Sequence, residues 1–198
     1  RQRLAGDFGG AATAYADFLG KHADTEWSAE ARYRRGVCLG KTGEEAAAAD
    51  LFKGMADSAS AFADNALYDL AWMHMDAERS GEAETVFNRL LEQYPQSELV
   101  SDVRFRLASI AVDDKRYREA LVQLDLLAQR ENLDYADGVL YKRGWCLQEL
   151  GRTGEAAASF RRLAKEYPDG PLAAEARYRA GRALRELGDE KAALELLE

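Results

Sequence analysis

The chain has 198 residues, with 27 Lys and Arg against 35 Asp and Glu, a formal net charge of -8 and a pI near 5.0. That balance excludes the concentrated basic face of a nucleic-acid footprint and simple attraction to anionic lipid. No run approaches the ~18 apolar residues that a bilayer-spanning helix requires.

The first predicted element is a helix near 6–20, read as the second helix of a repeat and marked by the half-copy Ala11–Tyr15–Ala23. The chain opens at Arg1 without Met and closes at Glu198 inside another helix. Both ends therefore read as cut from a longer protein, and the lack of a signal peptide says nothing about compartment.

Four full helix pairs follow. In the first, over about 27–61, Ala31, Arg35, Cys38 and Leu39 recur at three- and four-residue steps, a helical period. Gly43 stands where a left-handed cap is expected. Ala48, Phe52, Met55 and Ala56 line one face of the partner helix. The second pair, about 62–97, carries Ala71, Ala83 and Phe87, and Tyr94–Pro95 closes it because Pro cannot continue a helix. The third, about 98–133, carries Ala108, Ala120 and Leu124 and is the least regular. Its turn is Asp113-Asp114-Lys115-Arg116 where other repeats have Gly, and it ends at Glu131-Asn132 without Tyr-Pro. Such a segment reads as repeat drift, a flexible joint or a contact loop. The fourth, about 134–170, repeats the first: Val139, Arg143, Cys146 and Leu147, then Gly151, then Ala156, Phe160, Leu163 and Ala164, closed by Tyr167–Pro168. A last pair spans about 171–198, with Gly181, Ala193 and Leu197.

One interval unites these elements. A small residue is followed twelve positions later by Ala, and four positions after that by Phe or Leu: Gly36–Ala48–Phe52, Ala71–Ala83–Phe87, Ala108–Ala120–Leu124, Gly144–Ala156–Phe160 and Gly181–Ala193–Leu197. Copies start 35, 37, 36 and 37 residues apart. Fixed spacing within copies and variable spacing between them indicates a stacked repeat, which buries apolar surface between neighbours rather than in one central core. The small residue lets paired helices approach, and the aromatic or Leu fills the space beyond. The expected architecture is one continuous array without a linker.

These residues resemble the tetratricopeptide repeat, whose helix–turn–helix pattern has a small residue, Ala, an aromatic and Pro at these spacings. The match recurs five times. It departs in two ways. Arg32, Leu67, Arg104, Leu140 and Arg177 replace the family's Trp, with an aromatic one residue later, and the period exceeds the usual one. The stretch Tyr167-Pro-Asp-Gly-Pro-Leu-Ala-Ala-Glu-Ala-Arg-Tyr-Arg-Ala-Gly181, echoed by Tyr94-Pro-Gln-Ser-Glu-Leu, is similar to repeats of bacterial envelope proteins. Those are the periplasmic partner of the Tol-Pal system and the lipoprotein of outer-membrane-protein assembly. The resemblance implies an all-α superhelix of about eleven antiparallel helices whose first helices line a concave peptide-binding groove. It implies a periplasmic or outer-membrane-associated setting, with the cytoplasm as the alternative.

On that face the aromatic slot reads Tyr33, Tyr68, Phe105, Tyr141 and Tyr178, and the slot one turn on reads Val37, Trp72, Ser109, Trp145 and Arg182. Tyr68, Trp72, Phe105, Ser109, Tyr141, Trp145 and Tyr178 are the candidate partner-binding residues, since amphipathic aromatics anchor recognition surfaces. The competing reading is that the recurrent aromatics pack adjacent first helices in place of the missing Trp. The next slot, Arg34, Asp69, Arg106, Lys142 and Arg179, is largely basic. It reads either as a stripe for acidic peptide or as solvated i,i+4 pairs with Glu30, Asp102 and Glu175. Arg177, Arg179, Arg182 and Arg185 could form an anion-binding end, offset by Glu175 and Glu186.

Several features are decoys. Gly36-Val-Cys-Leu-Gly-Lys-Thr42 mimics a phosphate loop but has three residues, not four, before Gly-Lys-Thr. Cys38 and Cys146 occupy equivalent slots three repeats apart, too far for a disulfide, and read as small buried hydrophobes. His74 takes a slot held elsewhere by Leu39, Ala111, Leu147 and Leu184 and reads as partly buried. His22 sits at a helix end, where a cation suits the dipole. With two histidines and no convergent site, acid–base or nucleophilic catalysis has little material, and no cofactor or metal is expected. The expected function is a non-catalytic scaffold for a protein or peptide partner. The alternatives are an accessory domain of a larger envelope enzyme and a self-assembling module.

Overall fold

The computed structural model describes residues 6–58 and 60–196, and among them it is all-α, with eleven helices and no strand. They are α1 (Phe8–Lys21), α2 (Ser28–Lys41), α3 (Glu45–Asp57), α4 (Ala63–Asp76), α5 (Ser80–Gln93), α6 (Val100–Asp113), α7 (Tyr117–Ala128), α8 (Ala136–Glu149), α9 (Thr153–Glu166), α10 (Ala173–Glu186) and α11 (Glu190–Glu195). This is the expected leading helix, four pairs and a last pair. Leu197 of the fifth triplet, and the two chain ends, lie outside the described residues.

The chain divides into two compact units, residues 1–103 and 104–198. In the first, each of α1 to α4 packs on the next, and α2 also touches α4. In the second, α7, α8, α9, α10 and α11 pack in the same consecutive way. The apolar core is correspondingly local. Ala48, Phe52, Met55, Ala66 and Leu70 cluster in the first unit, and Leu124, Leu127, Leu147, Phe160 and Leu163 in the second.

The small-residue slots are closest-approach points. A Cβ at Gly36 would stand 2.5 Å from Phe52 Cε1, and one at Gly144 would stand 2.6 Å from Phe160 Cε1. Both distances are well inside van der Waals contact, so these helix pairs meet as closely as glycine permits. The half-copy sits differently from its expected register. Ala12 is the buried residue of α1, while Ala11 and Tyr15 only flank the core. The helix packs on α2, and the face it turns inward is set by that contact.

The slot of the family's Trp is used in two ways. Leu67 and Leu140 are buried. Arg32 and Arg177 instead donate to carbonyls of the preceding loop, at Ala23 (2.8 Å) and Pro168 (3.1 Å), and Arg104 donates to Gln123 on α7 (2.7 Å).

Every first helix closes with one hydrogen-bond pattern. Gly43, Glu78, Lys115, Gly151 and Gly188 all have φ between 57° and 85°. In each turn the N–H of that residue bonds the carbonyl three back, and the next N–H bonds the carbonyl five back, as Gly43 to Gly40 and Glu44 to Leu39. This is the Schellman closure that satisfies helix-end carbonyls. The third repeat is therefore not alone in lacking Gly at the turn, since Glu78 occupies the slot in the second. A side chain in the left-handed region costs about 1–2 kcal/mol. Glu78→Gly and Lys115→Gly should each raise stability by about 0.5–1 kcal/mol once the greater freedom of unfolded Gly is set against that cost. The readout is a higher urea midpoint at unchanged slope. A midpoint that stays or falls would show that backbone strain does not control stability at these turns.

Candidate functional site

The first helices place the predicted face separately in each unit. In residues 1–103 the recurrent aromatics are committed to packing. The Tyr33 ring stacks on Phe62 at 5.5 Å and meets Phe52 at 6.0 Å. Tyr68 meets Phe87 at 6.1 Å and the edge of Trp72 at 6.2 Å. Their hydroxyls reach the next first helix, Tyr33 donating to Asp69 Oδ2 at 2.9 Å and Tyr68 to Asp102. Burial, then the Asp69 charge, holds the Tyr33 phenol well above the usual tyrosine range, so it stays a donor. Burial also raises the Asp69 carboxyl, against the opposing pull of the Tyr33 hydroxyl and Lys41. Asp69, the odd member of the basic slot, is thus the acceptor that joins two repeats.

Beside this contact a cleft of about 290 Å³ opens between α2 and α4, with Gly36, Val37 and Gly40 on one side and Trp72, Met73 and Asp76 on the other. It lies at the lower end of the size of ligand pockets.

In residues 104–198 the basic slot covers the aromatic slot of the repeat before it. Lys142 Nζ lies 5.6 Å from the Phe105 ring centre. The Arg179 guanidinium lies 5.6 Å from Tyr141 and 4.8 Å from Trp145. Such cation–π contacts contribute roughly 0.5–1 kcal/mol at exposed sites. Tyr141 also leans on Phe160 at 5.8 Å and Phe105 on Tyr135 at 5.0 Å. Trp145 is 37% exposed and Tyr178 53% exposed. The Ser109 hydroxyl donates to Phe105 O, 2.9 Å away in its own helix.

The solvated-pair reading of the basic slot holds for Arg34 with Glu30 (2.6 Å) and Arg179 with Glu175 (2.7 Å). The basic end also makes internal contacts. A larger cleft of about 900 Å³ there includes Arg161, Arg162, Lys165 and Arg177, but Arg162 pairs with Glu166 at 2.9 Å and donates to Ala128 O at 3.1 Å. The charge of the chain is unevenly placed: residues 1–103 hold 10 Lys and Arg against 18 Asp and Glu, and residues 104–198 hold 17 of each.

The decoys resolve into structure. Gly36–Thr42 is the C-terminal half and cap of α2, with Gly36 against Phe52. Cys38 and Cys146 are buried free thiols, and burial raises both, Cys146 to about 11. They behave as hydrophobes rather than nucleophiles. His74 is half-buried, and its Nδ1 accepts from Arg79 Nε at 3.2 Å. Burial, then the Arg79 charge, lowers its pKa and favours the neutral ring. His22 caps α1 and packs on Phe18 at 5.1 Å.

Sequence reading missed the cleft and the pairing of Tyr33 with Asp69. The available signal was a tyrosine and a carboxylate one repeat apart, 36 residues in sequence.

No helix among the described residues is long and apolar enough to cross a membrane. No curated protein matches the chain in sequence. Among solved structures, YrrB, described as a TPR protein with an unusual peptide-binding site, aligns with TM-score 0.69 and 20% identity over 94% of this chain and 90% of its own. MamA AMB-1 aligns with TM-score 0.66 and 19% identity over 87% and 90%. A further MamA structure gives TM-score 0.61 and 16% identity over 96% and 89%. At such identities the likeness is one of fold. One tetratricopeptide repeat family model matches residues 139–170, and another matches 5–64, 57–98 and 68–136. The interval, the glycine-limited helix contacts and these matches carry one conclusion: the chain belongs to the tetratricopeptide repeat family.

Proposed function

We propose that the chain is a non-catalytic interaction scaffold that holds a peptide or a partner helix against the first helices of its repeats. One observation carries this reading. Four of the five recurrent aromatics, Tyr33, Tyr68, Phe105 and Tyr141, are consumed by ring packing, whereas Trp72 and Trp145 stand where other repeats carry Val37, Ser109 and Arg182, and Trp145 is 37% exposed. Large amphipathic rings that the repeat does not demand are candidate anchors. The peptide-binding site of the structurally similar YrrB supports the reading by fold analogy. A bacterial cell-envelope complex is the proposed setting, on the likeness of residues 167–181 to envelope repeats.

The test is selection of a displayed random-peptide library on the chain, followed by titration of the enriched peptides. Trp72→Ala or Trp145→Ala should weaken binding at least tenfold, about 1.4 kcal/mol, at unchanged helicity. Enriched peptides that bind both variants as they bind the parent would overturn the assignment.

A further inference from the structure

The cleft between α2 and α4 has a bare floor. Gly40 lies one turn after Gly36 on α2, and a Cβ added there would meet nothing within 4 Å. Trp72 forms a wall of the cleft. Its charged lining is unbalanced, with Glu45, Asp69 and Asp76 against Lys41 alone. Among the described residues none of these four makes a salt bridge within 4 Å. They lie in the unit that carries the whole negative balance of the chain.

We propose that this cleft receives a single Lys or Arg side chain projected by the bound partner segment, its stem along Gly36, Gly40 and Trp72 and its cation between Asp69 and Asp76. The inference rests on the scaffold reading and names the chemistry of the partner. A volume of about 290 Å³ suits one long side chain. Lys and Arg bury apolar stems while keeping the charged head at a polar rim. The indole face attracts a cation, and charge-assisted bonds to carboxylates are roughly twice as strong as neutral ones. Asp69 gains most, because it is half-buried with only a tyrosine hydroxyl bonded to it. A Glu side chain entering the cleft would face three carboxylates, and a purely apolar one would leave their imbalance unaddressed.

The experiment titrates the isotopically labelled chain with three capped nonapeptides of one apolar sequence, differing only in a central Lys, norleucine or Glu. The Lys peptide should shift the Trp72 indole and Met73 methyl resonances saturably, with an affinity at least tenfold above that of norleucine. Gly40→Leu should abolish this saturation by occupying the cleft while the melting temperature holds or rises, because the added Cβ meets nothing within 4 Å. Asp76→Asn should weaken the Lys peptide at least threefold and leave norleucine unchanged. Equal affinity for Lys and norleucine, full binding by Gly40→Leu, or no binding of the Lys peptide would overturn the inference. If library peptides meanwhile bind in a Trp-dependent way without cationic preference, the scaffold reading survives and only the occupant of this cleft is wrong.

Discussion

Phe160→Ala should cost about 4 kcal/mol, a large share of the stability of an ordinary domain. The ring is fully buried in the core of residues 104–198, among Leu124, Leu147 and Leu163. Two features place the loss toward the upper end of the Phe→Ala range. The residues facing the ring across the helix pair include Gly144, which has no side chain to move into the void. The backbones cannot close the gap either, since the α8–α9 seam is pinned by the buried Ser159 hydroxyl donating to Leu140 O at 2.9 Å. Tyr141 rests on the same ring at 5.8 Å, so the variant should also lose near-ultraviolet dichroism. Phe160→Leu, which imports the residue that the third repeat uses at Leu124, should cost only about 1–1.5 kcal/mol. Urea unfolding measures both. A loss below about 2 kcal/mol for Phe160→Ala would mean that the pair collapses over the vacancy and that the ring is not its spacer.

How far such slots can be read from sequence depends on how local their physics is. Helix ends, turns and the Gly–Ala–Phe interval depend on contacts within one helix pair, and they were legible. Gly43 and Gly151 adopt the left-handed backbone that their place after a helix implies. Glu78 was not legible, because the Schellman closure is driven by orphan carbonyls and can force a poor residue into the slot. The face of the first helices was legible only in part. That Tyr33 would spend its hydroxyl on Asp69 depends on how two repeats stack, and that Lys142 and Arg179 would lie over aromatic rings depends on it equally. Composition along one helix shows a basic slot; only the neighbouring helix shows what that slot covers. The same holds for Gly36 and Gly40, four residues apart on α2. Both line the cleft, yet a Cβ at Gly36 would press on Phe52 while one at Gly40 would meet nothing within 4 Å, and nothing local separates them.

That contrast gives a sign inversion. Gly→Ala within a helix ordinarily stabilises by about 1 kcal/mol, and Gly40→Ala should do so because its Cβ meets open space. Gly144→Ala should instead destabilise by about 1–2 kcal/mol. The added methyl would stand 2.6 Å from Phe160 Cε1 and 2.7 Å from Cζ, and overpacking of about 1–3 kcal/mol outweighs the propensity gain. The second repeat accommodates Ala71 opposite Phe87, so the combination is not forbidden in itself. It requires a wider helix pair, and α8–α9 resists widening through the Ser159 bond. Combining Gly144→Ala with Phe160→Leu reproduces the Ala108–Leu124 pairing of the third repeat and should recover most of the loss. The two changes should therefore couple favourably by at least 1 kcal/mol in a double-mutant cycle. Strict additivity would show that glycine serves some purpose at this position other than yielding room to the ring.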